Sequence, residues 1–202
     1  MRTHTYFISD VHLGAPSVRE SQERERALVS FLKHIEKGCK QLFIVGDLFD
    51  YWFEYKHVVP RGHTRVLGQL ALMVDAGLKL DIFVGNHDLW MGNYLEEELG
   101  ATVHHGPLKW SPDEGKTAFY LAHGDGLGPG DRKYKALKKI FTNPFAIWAY
   151  KRLHPNFGVG FAARMSRTSR NSQSNDDHAF KGEKERQLVH SKTVLKEEWF
   201  DY

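Results

Sequence analysis

Four short segments concentrate Asp, His, Asn and Gly: Ser9-Asp10-Val11-His12, Gly46-Asp47-Leu48-Phe49-Asp50, Gly85-Asn86-His87-Asp88 and Ala122-His123-Gly124-Asp125. Carboxylate, imidazole and amide donors are what a pair of divalent ions needs. Two such ions roughly 3.5–4 Å apart activate water and neutralise an anionic phosphorus centre, so the chemistry indicated is phosphoester or diphosphate hydrolysis. Asp10 and His12 lie two apart after an apolar run, and in extended geometry such residues point the same way, toward one ion. Asp47 is placed to bridge. Asn86 offers a neutral amide oxygen and His123 a further imidazole. Gly46, Gly85 and Gly124 flank these residues, where backbone must approach closely or adopt unusual torsions. His87 is not needed as a ligand. It is read as a group that protonates the leaving oxygen or holds a phosphate oxygen, with Asp88 orienting its ring. Asp50 is read as supporting a ligand from behind. Any one of these acids alone is a common turn or cap residue. Four such loops, each after an apolar run, read together as a metal centre. Manganese, zinc, iron and cobalt all suit these donors.

The elements that position the loops are legible as short apolar runs: Tyr6-Phe7-Ile8, Leu42-Phe43-Ile44-Val45, Leu80-Asp81-Ile82-Phe83-Val84 and Ala118-Phe119-Tyr120-Leu121. Unalternating runs suit strands buried on both faces. Between the first two runs, Leu28, Phe31, Leu32 and Ile35 mark a helix stopped at Gly38. A second helix is expected near 63–76, ending at Gly77. Strand alternating with helix implies parallel βαβ units, with all four polar loops at the carboxyl ends of one sheet. Leu108-Lys109-Trp110, a turn at Pro112-Asp113-Glu114-Gly115 and the run to Leu121 read as a hairpin. From Asp131 to His178, Lys133, Lys135, Lys138, Lys139, Lys151 and Arg152 interleave with aromatics, and Asn143-Pro144 and His154-Pro155 divide the stretch into short helices. Ser166 to Asp177 reads as a polar loop, and Gly182 to Glu198 as an amphipathic helix. The expected organisation is a core over 1–130, a helical lid insertion over 131–180, and a return helix over 181–202.

The chain has 202 residues, 41% hydrophobic and 26% charged, with a net charge of +3. That suits a globular domain with a sizeable core. A single cysteine, Cys39, excludes an intrachain disulfide and a thiolate zinc cluster. The first apolar run is ended by Asp10, too early for a signal peptide. No run approaches the roughly 20 apolar residues of a spanning helix. A cytoplasmic protein with at most peripheral membrane contact is expected. The aromatic and basic lid fits acyl chains joined to phosphates at an anionic membrane.

With these motifs in this order, the sequence resembles the calcineurin-like metallophosphoesterases. Within them it is most similar to the UDP-2,3-diacylglucosamine hydrolases of lipid A biosynthesis that carry G-N-H-D. G-D-L-F-D-Y-W-F, H-G-D-G-L-G-P-G-D-x-x-Y-K and F-A-A-R-M-S-R carry the narrower likeness. The resemblance implies an α/β fold built as a four-layer α/β/β/α sandwich, with two ions, usually manganese. It implies attack of water on a diphosphate, giving UMP and a lipid monophosphate at the inner face of the inner membrane. No obligate protein partner follows from it. It assigns Asp10, His12 and Asp47 to one ion and Asp47, Asn86 and His123 to the other. Asp131 and Tyr134 match substrate-lining positions, and Ser169 is the choice within the Arg164–Arg170 lid stretch. The family's C-terminal G-H-x-H follows a strand that related sequences place just after a run like Glu198 to Tyr202, so continuation of the native chain past Tyr202 is expected. Two rival functions fit the same residues: a broader phosphodiesterase or nuclease, and a metal-poor scaffold.

Overall fold

A computed structural model describes residues 2–113, 115–162 and 182–202. Ser169, the Arg164–Arg170 stretch and the expected polar loop lie outside them. The chain divides into two compact units, Met1–Gly106 and Pro107–Tyr202.

The first unit runs β1 (His4–Ile8), α1 (Val18–Ile35), β2 (Cys39–Val45), α2 (Thr64–Asp75), β3 (Lys79–Phe83), α3 (Tyr94–Leu99) and β4 (Thr102–His104). The four strands form one parallel sheet in the order β1-β2-β3-β4. Neighbours in sequence are neighbours in the sheet. Right-handed crossovers between them therefore place the connecting helices on a single face. Leu42, Ile44, Leu80 and Ile82 point to that face and join Leu28, Leu32 and Ile35 of α1 and Val66, Leu70 and Met73 of α2 in one core. The alternate positions Phe7, Phe43 and Phe83 take the opposite face, with Phe7 stacked on Phe43 at 5.1 Å.

Local chemistry sets the helix boundaries. Ser17 caps α1: its hydroxyl accepts from the Glu20 N–H at 3.3 Å and donates to the Glu20 carboxylate at 2.6 Å. α2 starts after His63, whose φ of 60° is left-handed and whose side chain makes no cap bond. Glu25 of α1 supplies the cap instead, accepting from Arg65 N–H at 3.0 Å and Val66 N–H at 3.3 Å.

His63 lies 4.9 Å from the Phe49 ring. Burial pushes its imidazole below the ordinary 6.5, and the charge of Glu25 offsets this only in part. Because its folded value is depressed, the stabilisation from the neutral ring is complete above 6.5 and is lost as pH falls through the folded value. His63→Asn, which tolerates the left-handed torsion, should lose less thermal stability than the parent as pH falls below 6.5. Parallel melting curves across that range check this; identical slopes would refute it.

The second unit contains an antiparallel hairpin, β5 (Leu108–Trp110) with β6 (Phe119–Leu121), in the register Leu108↔Leu121. In its turn, Asp113 accepts from the Thr117 N–H at 2.6 Å and from its hydroxyl at 2.7 Å. α4 (Arg132–Phe141) and α5 (Pro144–Tyr150) follow, then helical residues at 155–162, a 3-10 turn at Gly182–Lys184 and α6 (Arg186–Glu197). Asn143 caps α5 by accepting from the Phe145 and Ala146 N–H groups, with Pro144 in the first turn.

The hairpin corrects one expectation. The fourth apolar run is not a strand of the parallel sheet; it belongs to a separate two-stranded sheet. The turn between β5 and β6 is too short for the dozen-residue crossover that parallel pairing demands, so antiparallel pairing is what forms. No described helix is long and apolar enough to cross a membrane.

Candidate metal centre

The first two polar loops extend the pairing of β1 with β2 beyond the sheet. Asp10 N–H donates to Gly46 O at 3.2 Å, His12 N–H to Asp47 O at 2.9 Å, and Leu13 N–H to Leu48 O at 3.0 Å. Helix α1 supports the first loop from the side: Arg24 Nη1 donates to the carbonyls of Val11 and His12, each at 2.9 Å. Ser21 Oγ accepts from the Gly14 N–H at 2.7 Å.

The extended geometry expected for Asp10 and His12 is not what forms. Asp10, His12 and Asp47 have φ of 56°, 48° and 52°. Left-handed backbone is uncommon outside glycine and concentrates where a site imposes it. Among the described non-glycine residues only His63 and Asp131 share it. The torsions still bring the side chains together. His12 Nε2 lies 3.8 Å from Asp10 Oδ1 and 3.6 Å from Asp47 Oδ2. His12, Asp47 and His87 each bring a donor atom within 4.8 Å of the others.

The third loop closes on the second through backbone contacts. His87 N–H donates to Asp47 Oδ1 at 2.9 Å. A Cβ on Gly85 would stand 2.1 Å from that same oxygen, so only glycine leaves the approach open. Asp88, fully buried, accepts from Gly85 N–H at 2.8 Å and Phe49 N–H at 3.3 Å, and so joins the two loops. The carboxylate at the His87 ring is that of Asp50: Nδ1 lies 3.3 Å from Asp50 Oδ1 and 3.2 Å from Asp50 O. Asn86 is exposed on the same loop.

Burial lowers the His12 imidazole below its ordinary value, with the charges of Asp47 and Asp50 opposing. Burial also pushes His87 down. The hydrogen bond to Asp50 and the charges of Asp47 and Asp50 outweigh it and leave that ring raised. His12 Nδ1 is buried and has no hydrogen-bond partner among the described residues. A cluster of carboxylates and imidazoles on constrained backbone fits a divalent ion of the manganese, iron or zinc type.

His123 follows β6 in the second unit and is half-buried there. The glycine-rich loop after it is held by α4. Tyr134 OH donates to Asp125 Oδ2 at 2.5 Å and Lys138 Nζ to the same oxygen at 2.6 Å. Asp131, with φ 48°, accepts from Arg186 Nη1 at 2.5 Å. Tyr134 and Asp131 thus share in ordering the loop that carries His123. Arg24 and Glu54, which hold the loops of the first unit, carry no mark in the sequence. Neither sits in a motif, and a helix-borne Arg or an acid after an aromatic run gives no signal of its long-range partner.

Fold and site together define a metal-dependent phosphoesterase of the α/β class. The chain belongs to the calcineurin-like phosphoesterase family, whose pattern matches residues 3–184. It is 39% identical to the UDP-2,3-diacylglucosamine hydrolase of Porphyromonas gingivalis across 100% of this chain and 73% of that protein. Proteins of the same name from Edwardsiella ictaluri and Pseudomonas paraeruginosa are each 30% identical, over 84% and 73% of this chain and 63% and 58% of their own lengths. The chain thus spans less than two thirds of the latter two relatives.

Proposed function

We propose that this protein hydrolyses the diphosphate of UDP-2,3-diacylglucosamine, releasing UMP and 2,3-diacylglucosamine 1-phosphate, with manganese as its ion. The observation that carries the reading is the convergence of Asp10, His12, Asp47 and His87 from three loops at one edge of the parallel sheet. The relatives bearing that enzyme's name supply the substrate. Two divalent ions at such a site activate water and neutralise the diphosphate. Asp10, His12 and Asp47 would hold one ion, and Asp47, Asn86 and His123 the other. Asp47 divides its oxygens in a way that suits bridging: Oδ1 takes the His87 N–H and Oδ2 faces His12.

His87 turns Nδ1 toward Asp50, which assigns proton transfer to the leaving oxygen to Nε2. Asp88 serves this step by fixing the loop that carries His87. Asp131, Tyr134 and Ser169 are assigned to the substrate, and residues 131–180 to a lid over it. Within that segment Phe145, Trp148 and Phe157 are 73%, 53% and 65% exposed, and the Arg152 guanidinium lies 4.9 Å from the Trp148 ring centre. Apolar surface beside positive charge suits an acylated phosphate and peripheral contact with the inner membrane.

The test is turnover with Mn2+ read by mass spectrometry. UMP and the lipid monophosphate are expected, with bis-p-nitrophenyl phosphate a much poorer substrate. Manganese binding without release of UMP, or a preference for the small diester, would overturn the assignment.

A further inference from the structure

We propose that Glu54 is a positioning residue for the metal centre, acting as the second half of a reciprocal clamp between the loops that carry Asp47 and Asn86-His87. Glu54 is 8% exposed. Its Oε1 accepts from Trp52 Nε1 at 2.9 Å and from the Gly92 N–H at 2.8 Å, and its Oε2 accepts from the Tyr94 N–H at 3.1 Å. A Cβ on Gly92 would stand 2.3 Å from Oε2, so the carboxylate lies close against this backbone.

The arrangement mirrors that of Asp88. Asp88, on the third loop, takes a backbone N–H from the second loop at Phe49. Glu54, just past the second loop, takes two backbone N–H groups just past the third. Between the two carboxylates, Phe53 and Trp90 pair as a parallel bridge with rings 5.5 Å apart. The segments 49–54 and 88–94 are thus tied at both ends, and the contacts of His87 with Asp47 and Asp50 adjoin the first of these ties. The surroundings are apolar: Trp52 is fully buried and stacks on Phe49 at 4.3 Å. Apolar packing would serve stability there at least as well as a buried carboxylate. What a carboxylate adds is a fixed register between two backbones, and hence between ligands on different loops.

The Glu54 carboxylate receives three N–H groups, from Trp52, Gly92 and Tyr94. Glu54→Gln keeps the shape but turns an amide N–H against one of them, and the clamp must relax. Supporting residues of this kind change metal affinity or activity by about 10- to 100-fold. This inference rests on the metal-binding reading of the site. Calorimetric titration of parent and Glu54→Gln protein with Mn2+ is expected to show affinity at least about tenfold weaker in the variant, and turnover is expected to show a fall in kcat with KM little changed. A lowered melting temperature with parental Mn2+ affinity and kcat would overturn the proposal. Failure of the parent itself to bind Mn2+ would overturn the metal reading and this inference with it. A measurement on the parent covers the case in which the variant does not fold. Coupling is reciprocal, so Mn2+ should slow hydrogen exchange at the Gly92 and Tyr94 amides. Unchanged exchange there, with Mn2+ bound, would overturn it.

Discussion

Asp47→Asn is expected to weaken Mn2+ binding by more than about a hundredfold, beyond the usual effect of losing a supporting residue, while the metal-free protein keeps its parental stability. Asp47 is 2% exposed, and it stands among Asp10, His12, Asp50 and His87. Asparagine preserves what the fold needs from the position. Its Oδ1 still accepts the His87 N–H, and it tolerates left-handed backbone better than most residues, which suits the φ of 52°. It removes what the ion needs, an anionic oxygen directed at the cluster. It also removes one of several neighbouring negative charges, a repulsion that the apo protein tolerates for function's sake. A ligand at a hundred times its Kd stabilises a fold by about 2.7 kcal/mol. Melting curves with and without Mn2+ should therefore show a clear metal-dependent rise in the parent and none in Asp47→Asn. A variant that keeps the rise would remove Asp47 from the metal site.

The contrast between Asp47 and Glu54 shows what is legible in a sequence. Asp47 announces itself because a residue able to bind metal follows closely on an apolar run, a pattern repeated around Asp10, Asn86 and His123. The first three strands and the two long helices are legible for a related reason. The strands show as short apolar runs and the helices as apolar residues at regular spacing, with Gly38 and Gly77 marking helix ends. β4 and α3 escape because three and six residues are too few to show a period. The fourth polar loop is recognisable by type, yet its strand belongs to a hairpin. Composition marks a strand without naming its sheet, and here the short turn before β6 decides. The left-handed torsions at Asp10, His12 and Asp47 are likewise invisible, because the residues are not glycines. Contacts are hardest of all. Asp50 at the His87 ring, Arg24 beneath the first loop and Glu54 at Gly92 join residues 37, 12 and 38 apart. Such pairs follow from how the loops meet, which only the assembled sheet determines.

Gly85→Ala is the substitution with the largest expected effect on stability. The φ of Gly85 does not lie in the left-handed region, so torsion does not explain the glycine. Space does. An alanine Cβ would stand 2.1 Å from Asp47 Oδ1, 2.8 Å from its Cγ and 2.6 Å from its backbone nitrogen. A side-chain oxygen alone could swing aside, but the nitrogen belongs to the turn that leaves β2 and has no such freedom. Either the third loop retreats or the second does. Retreat separates His87 N–H from Asp47 Oδ1 and opens the hydrogen bond from Phe49 N–H to Asp88. Overpacking of a close-packed region costs typically 1–3 kcal/mol, and losing bonds to buried acceptors adds to it. A loss of about 3 kcal/mol is expected in urea unfolding, together with loss of detectable Mn2+ binding. Both losses share one cause, since the atom that a Cβ would strike is the oxygen that orders the His87 loop around Asp47. A Gly85→Ala protein that unfolds at the parental urea midpoint and still binds Mn2+ would mean that the two loops do not meet as closely as this argument requires.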